Sequence, residues 1–126
     1  EVSALWAVTE FRAANGATRV VVGSHGSHSH PAAAKPPSLE QADVATMMVG
    51  SVLLWTGSVW HGAGAANGGG DPRGRVSALF QYTAGWLHTE QNLHFAINPS
   101  VSSTFTDPEL RSLLGFDGTQ TLHACF

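Results

Sequence analysis

The sequence has one cysteine, Cys125, so no disulfide can close within its 126 residues. That fits a reducing compartment and an expected cytoplasmic location. Charge is scarce: Asp, Glu, Lys and Arg make up 12 % of the residues, the formal net charge is −3, and no Lys/Arg cluster occurs. A nucleic-acid or anionic-membrane partner therefore has no electrostatic basis. No long hydrophobic run exists either. The longest apolar stretch, 45–60, is broken by Thr46, Gly50, Ser51, Thr56, Gly57 and Ser58, and a bilayer span needs about 20 apolar residues. There is no recognisable secretory signal and no initiator Met: Glu1 opens the chain inside a strand-like pattern. We therefore expect a portion of a longer protein. What is present is globular: 43 % hydrophobic residues, with 14 Gly and 6 Pro that imply many turns in a single β-rich domain.

Residues 2–11 read as a buried strand, Asn15-Gly16 as a turn, and residues 18–22 as a β-branched second strand. Together they predict a hairpin with a long loop. A loop over 23–37 follows, then a short helical turn within 38–48. Further strands are predicted over 50–55, from 59 to 61, and over 75–82, with a Gly-rich turn across 62–74. Near the end, Asp107 can cap a helix, Pro108 suits its first turn, Gly115 can stop it, and Leu110, Leu113 and Leu114 give it an apolar stripe. Strands joined by turns, with one late helix, indicate an antiparallel sandwich or barrel.

The chemistry concentrates in Gly50-Ser-Val-Leu-Leu-Trp-Thr-Gly-Ser-Val-Trp-His61-Gly-Ala-Gly, followed by Asn67, Arg73 and Ser77. His61 ends a strand beside small residues at 62, 63 and 64, which leave room for a metal or substrate. Imidazole is a good ligand for Fe(II). Arg73 can form a bidentate pair with a carboxylate, and Ser77 can complete the grip. A 2-oxo acid needs both: one end chelates the metal and the distal carboxylate meets the Arg. Arg75 is the rival for that role, since on a strand it shares a face with Arg73.

Other residues have blander readings. His25, His28 and His30 lie in a Gly/Ser loop that could bind Zn(II) or Ni(II) adventitiously, and His25 reads as a structural part of its turn. His88, His94 and His123 read as surface or packing residues. Trp55, Trp60 and Trp86 read as core and pocket wall, with Trp60 facing away from His61. Gly68-Gly69-Gly70 is no phosphate loop, and Asp71 is no metal ligand.

The order of motifs resembles the phytanoyl-CoA dioxygenase family. Asn15-Gly-Ala-Thr-Arg-Val-Val-Val-Gly-Ser-His25 is similar to that family's Asn-Gly…Pro-Gly-Ser-His segment, with Val22 where Pro is usual. His61-Gly-Ala-Gly…Asn67…Arg73…Ser77 is similar to its His-Gly-x-Gly…Asn…Arg-x-x-x-Ser block. Tyr82-Thr-Ala-Gly-Trp86, Glu90-Gln-Asn92 and the Leu-Arg-Ser-Leu-Leu-Gly115 segment fit as well. The resemblance implies a mainly β fold: an incomplete double-stranded β-helix (a jelly roll, cupin-like) with a short C-terminal helix. Residues 1–126 would form the C-terminal part of one domain. It implies a fragment of an Fe(II)- and 2-oxoglutarate-dependent dioxygenase hydroxylating an unactivated C–H bond of a small organic or acyl substrate with O2. It makes His61 the distal metal ligand and Arg73 and Ser77 the cosubstrate carboxylate grip. Trp6 is then an aromatic beside the cosubstrate, with core packing as the alternative. The family's proximal pair, His-x-Asp or His-x-Glu, is expected ahead of residue 2, and no His-x-Asp occurs in the chain. The chain by itself is therefore expected to be inactive. The rival reading is a non-catalytic cupin-like β-sandwich binding module or an inactive homologue.

Overall fold

The computed structural model describes residues 1–26, 37–67, 74–87 and 91–116. They divide into two compact units, Glu1–Tyr82 and Thr83–Phe126.

The first unit holds two three-stranded antiparallel sheets. In one, β1 (Val2–Ala7) is central, with β4 (Val52–Thr56) on one side and β6 (Ser77–Tyr82) on the other. In the other, β2 (Arg19–Val20) lies between β3 (Asp43–Val44) and β5 (His61–Gly62). The mainly β prediction thus holds for this unit. The sheets are small and open, and they do not by themselves close into a jelly roll.

The predicted hairpin between residues 2–11 and 18–22 does not form. β1 and β2 belong to different sheets. Alternation and β-branching say that a segment is extended, but they do not choose its neighbour. The Asn15-Gly16 turn is real: Arg12 N donates to Asn15 Oδ1 at 2.8 Å, Asn15 Nδ2 donates to the Glu10 carbonyl at 2.8 Å, and Gly16 takes φ +77°. It carries the chain from one sheet to the other instead of folding it back. β1 also ends earlier than predicted. The Val8 and Thr9 amides both donate to the Val76 carbonyl, and Phe11 then makes an isolated bridge with Met47.

Register fixes which side chains share a face. Ser3, Leu5 and Ala7 pair with Trp55, Leu53 and, across β6, with Gln81, Leu79 and Ser77. This face carries the core, a cluster of Leu5, Ala7, Phe11, Ala17 and Trp55 with Met47, Leu53 and Val59 packed around it. Phe11, 1 % exposed, is its fully buried large side chain. The opposite face presents Val2, Trp6, Val52, Leu54, Phe80 and Tyr82, all substantially exposed.

The helical turn foreseen in 38–48 is a 3-10 turn, Leu39–Gln41. Ser38 N donates to Gln41 Oε1 at 2.9 Å and Gln41 N to the Ser38 carbonyl at 3.0 Å. It is too short to bury a stripe.

The second unit is helical where described. α1 (Leu93–Ala96) and α2 (Pro99–Ser102) were not expected from the sequence, although each starts on an Asn whose side chain accepts from the amide two residues on. α3 (Pro108–Leu113) is the predicted helix: Asp107 Oδ1 accepts from Glu109 N at 2.8 Å and Leu110 N at 3.2 Å, and Gly115 ends it at φ +76°. Its leucines stay partly exposed. His94 ties this unit together: Nε2 meets the Gly115 carbonyl at 2.8 Å, and its ring sits 4.7 Å from that of Phe116. No described helix is long and apolar enough to cross a membrane.

Candidate metal centre

His61 is the first residue of β5 and pairs with Val20 of β2. Its Nδ1 lies 2.9 Å from the Val59 carbonyl. A carbonyl only accepts, so Nδ1 carries the proton and donates. The neutral ring is then the tautomer whose Nε2 lone pair is free, which is the form a metal ligand needs. The ring is held further by Trp55, with centroids 4.9 Å apart and planes tilted by 53°. His61 is exposed, so its Nε2 can be approached.

The loop after His61 is anchored through its backbone. Asn67 N donates to the Ala14 carbonyl at 3.0 Å, and Asn15 bridges to Ala66. A Cβ built on Gly64 would sit 2.5 Å from the Ala17 carbonyl oxygen. Gly64 is thus glycine because another backbone passes against it. The sequence reading, that the small residues leave room for a ligand, fits Gly62, where a Cβ would meet nothing within 4 Å, and does not fit Gly64. The Asn15-Gly16 and His61-to-Gly64 segments, singled out separately in the sequence, are in contact.

The other candidates fall in different places. Ser77 lies opposite Ala7 on the core-bearing face of β1. Trp55 lies on the same face opposite Ser3, four residues along β1, or about 13 Å at the strand rise. Trp6 is 44 % exposed on the other face, away from Ser77 and Trp55. Arg73 lies outside the described residues, as do His28, His30, His88, Asp71, His123 and Cys125. Its rival Arg75 is described: the guanidinium carbon stands 4.3 Å from the Phe11 ring centroid, a cation–π contact with the core. His25 sits exposed in a 3-10 turn, Ser24–Gly26, consistent with its structural reading.

A cavity of about 140 Å³ adjoins β5, lined by Arg19, Val21, Ser38, Leu39, Trp60 and Gly62 among others. By register Arg19 shares a face with Gly62, and Val20 shares the other with His61. His61 is itself among the residues that line the cavity. The Trp60 amide donates to Ser24 Oγ at 2.8 Å.

Among the described residues no three His, Cys, Asp or Glu side chains gather closely enough to hold a metal. His61 fits one ligand position by tautomer and access. A His-x-Glu triplet does occur in the sequence, His88-Thr89-Glu90. It follows His61 where the family resemblance puts the pair first, and it falls outside the described residues. Sequence reasoning passes over it and reads Trp55 as core and pocket wall; neither the His61 contact nor the state of the Trp55 indole leaves a local signal.

Residues 2–74 match the phytanoyl-CoA dioxygenase (PhyH) family. The chain is 32 % identical over 122 residues to "Dioxygenase cdmA" of Talaromyces verruculosus, covering 97 % of this chain and 39 % of that protein. It is 43 % identical over 117 residues to "Dioxygenase andF" of Emericella variicolor, covering 93 % and 38 % respectively. With "Dioxygenase swnH1" of Metarhizium robertsii it shares 37 % identity over 102 residues, 81 % of this chain and 31 % of the relative. The chain spans less than two fifths of the length of these relatives. On the match over more than half its length, this chain belongs to the phytanoyl-CoA dioxygenase (PhyH) family.

Proposed function

We propose that the protein carrying this chain is a non-haem Fe(II)- and 2-oxoglutarate-dependent dioxygenase that hydroxylates an unactivated C–H bond of a small organic or acyl substrate. The observation that carries the reading is the His61 ring: Nδ1 donates to the Val59 carbonyl at 2.9 Å, leaving Nε2 to bind a metal. Family membership and the dioxygenase names of its relatives support it. On this reading the two open sheets belong to a jelly roll, and both units belong to one domain.

His61 would supply one ligand to Fe(II); a second His and a carboxylate would complete a facial triad. Arg73, with Ser77, would take the distal carboxylate of 2-oxoglutarate, which would lie along the Ser77 and Trp55 face of the first sheet. Bound iron, with 2-oxoglutarate and O2, supplies the oxidising chemistry. The residues here orient the ligand: Val59 sets the His61 tautomer, Trp55 holds its ring, and the close passage of Gly64 by Ala17 fixes the loop that follows.

The test is Fe(II)-dependent succinate formation from 2-oxoglutarate by the native gene product, with His61→Ala beside it. We expect His61→Ala to weaken Fe(II) or Co(II) binding at least tenfold, the range for loss of groups at a metal site, and to abolish turnover. Equal metal affinity in the two proteins would instead favour a non-catalytic cupin-like binding module.

A further inference from the structure

The cavity beside β5 has the size and lining of a small-molecule site. Its volume is about 140 Å³, and an apolar cavity of about 150 Å³ takes up a molecule the size of benzene. Val21, Leu39 and Trp60 give it apolar walls, and Arg19 brings a guanidinium to it. Arg19 is half-buried, yet the structure gives it a single long hydrogen bond, Nη1 to the Leu39 carbonyl at 3.4 Å. Among the described residues no carboxylate stands within 4.0 Å of its nitrogens. A guanidinium carries five donors in a fork that matches a carboxylate, so most of this one's capacity is unused. Gly62, on the same face as Arg19, leaves space for an occupant, since a Cβ there would meet nothing within 4 Å. The buried Trp55 indole Nε1 also lacks a partner, but Trp55 packs in the core cluster and is not among the residues that line this cavity.

We infer that this cavity binds the head of a small apolar monocarboxylic acid, with Arg19 gripping the carboxylate and Trp60, Leu39 and Val21 enclosing the hydrocarbon beside it. One guanidinium balances one negative charge. A phosphate or a dicarboxylate would bring a second charge against apolar walls with no further Lys or Arg in the lining to meet it, which is costly. A wholly neutral ligand would cover the Arg19 donors and leave them unpaired. The inference goes beyond the dioxygenase reading and stands apart from it, since it needs neither a metal nor the His61 side chain. Taken with that reading it names the substrate class: 2-oxoglutarate is assigned there to Arg73 and Ser77, which leaves Arg19 for a different acid.

The experiment titrates the metal-free native gene product with benzoate, with its neutral analogue benzamide, and with 2-oxoglutarate. Benzoate should bind about tenfold more tightly than benzamide, the difference expected for hydrogen bonds within a charged pair. Arg19→Gln should erase that preference by weakening benzoate alone. Gly62→Leu places a side chain in the cavity from a position without a positive φ, and it should block both ligands. Should a variant fail to fold, wild type answers alone: the assigned Trp60 indole ¹H–¹⁵N resonance should move on adding benzoate, with a midpoint well below that for benzamide. Equal binding of benzoate and benzamide, unchanged benzoate affinity in Arg19→Gln, or a Trp60 resonance that none of the three compounds moves would overturn the inference. So would 2-oxoglutarate binding as tightly as benzoate in an Arg19-dependent way, which would make this the cosubstrate's site. Metal binding by His61→Ala is read separately, so failure of the dioxygenase reading leaves these outcomes unaffected.

Discussion

Gly64 offers a sharp test of how the His61 loop is held. A Cβ at this position would stand 2.5 Å from the Ala17 carbonyl oxygen and 3.3 Å from the Gly16 carbonyl carbon. Ordinary contact begins near 3.4 Å, so Gly64→Ala must push the facing backbones apart by roughly an ångström. Neither side can yield through a flexible side chain. The same segments share the Asn67 to Ala14 hydrogen bond and the Asn15–Ala66 bridge, which such a separation would strain. Overpacking of this kind costs about 1–3 kcal/mol. With a urea slope of about 1–3 kcal/mol per molar, the unfolding midpoint should fall by roughly 1 M. The control lies two residues away: a Cβ on Gly62 meets nothing within 4 Å, so Gly62→Ala should change stability by no more than about 0.5 kcal/mol. Urea unfolding of both variants, followed by far-UV circular dichroism, reads the difference. Equal midpoints for the two would refute the argument that Gly64 is fixed by the passage of Ala17.

Asp107→Ala should cost about 1 kcal/mol of α3 stability, seen as faster amide exchange at Glu109 and Leu110, and Asp107→Asn should recover most of it. The Glu10 carboxyl is held below the usual carboxylate range by its hydrogen bond with the Arg12 guanidinium, with their charge attraction adding to the effect. Because its folded value is depressed, the stabilisation is present above the ordinary Glu range and is lost as pH falls through the folded value. In a carbon-detected titration, Arg12→Gln should therefore move the Glu10 midpoint up; an unmoved midpoint would show that the pair does not persist in solution.

How much was legible depended on the range of the interaction. The α3 cap reads directly from Asp107-Pro108 and Gly115, because donors and acceptors lie within three residues of one another. The Asn15-Gly16 turn was legible for the same reason. What it connects was not: β1 finds its partners at residues 52–56 and 77–82, beyond any local pattern. The two four-residue helices were missed because they carry no apolar period, only Asn caps. His61 was legible as a candidate through its motif and its small neighbours, yet its tautomer is set by the Val59 carbonyl, which has no sequence signature. Trp6 and Ser77 read from sequence as members of one pocket, and register puts them on opposite faces of the first sheet.

The sequence by itself determined the extended segments, the turn and cap positions, the motif order that marks the family, and His61 as the residue to watch. Those follow from backbone preferences and side-chain chemistry acting within a few residues. The tertiary structure alone decided which strands pair, which face each side chain occupies, why position 64 must be glycine, and that the Trp55 indole is buried without an acceptor. Each of these joins residues tens of positions apart, where burial and hydrogen-bond satisfaction across the two sheets outweigh any local preference.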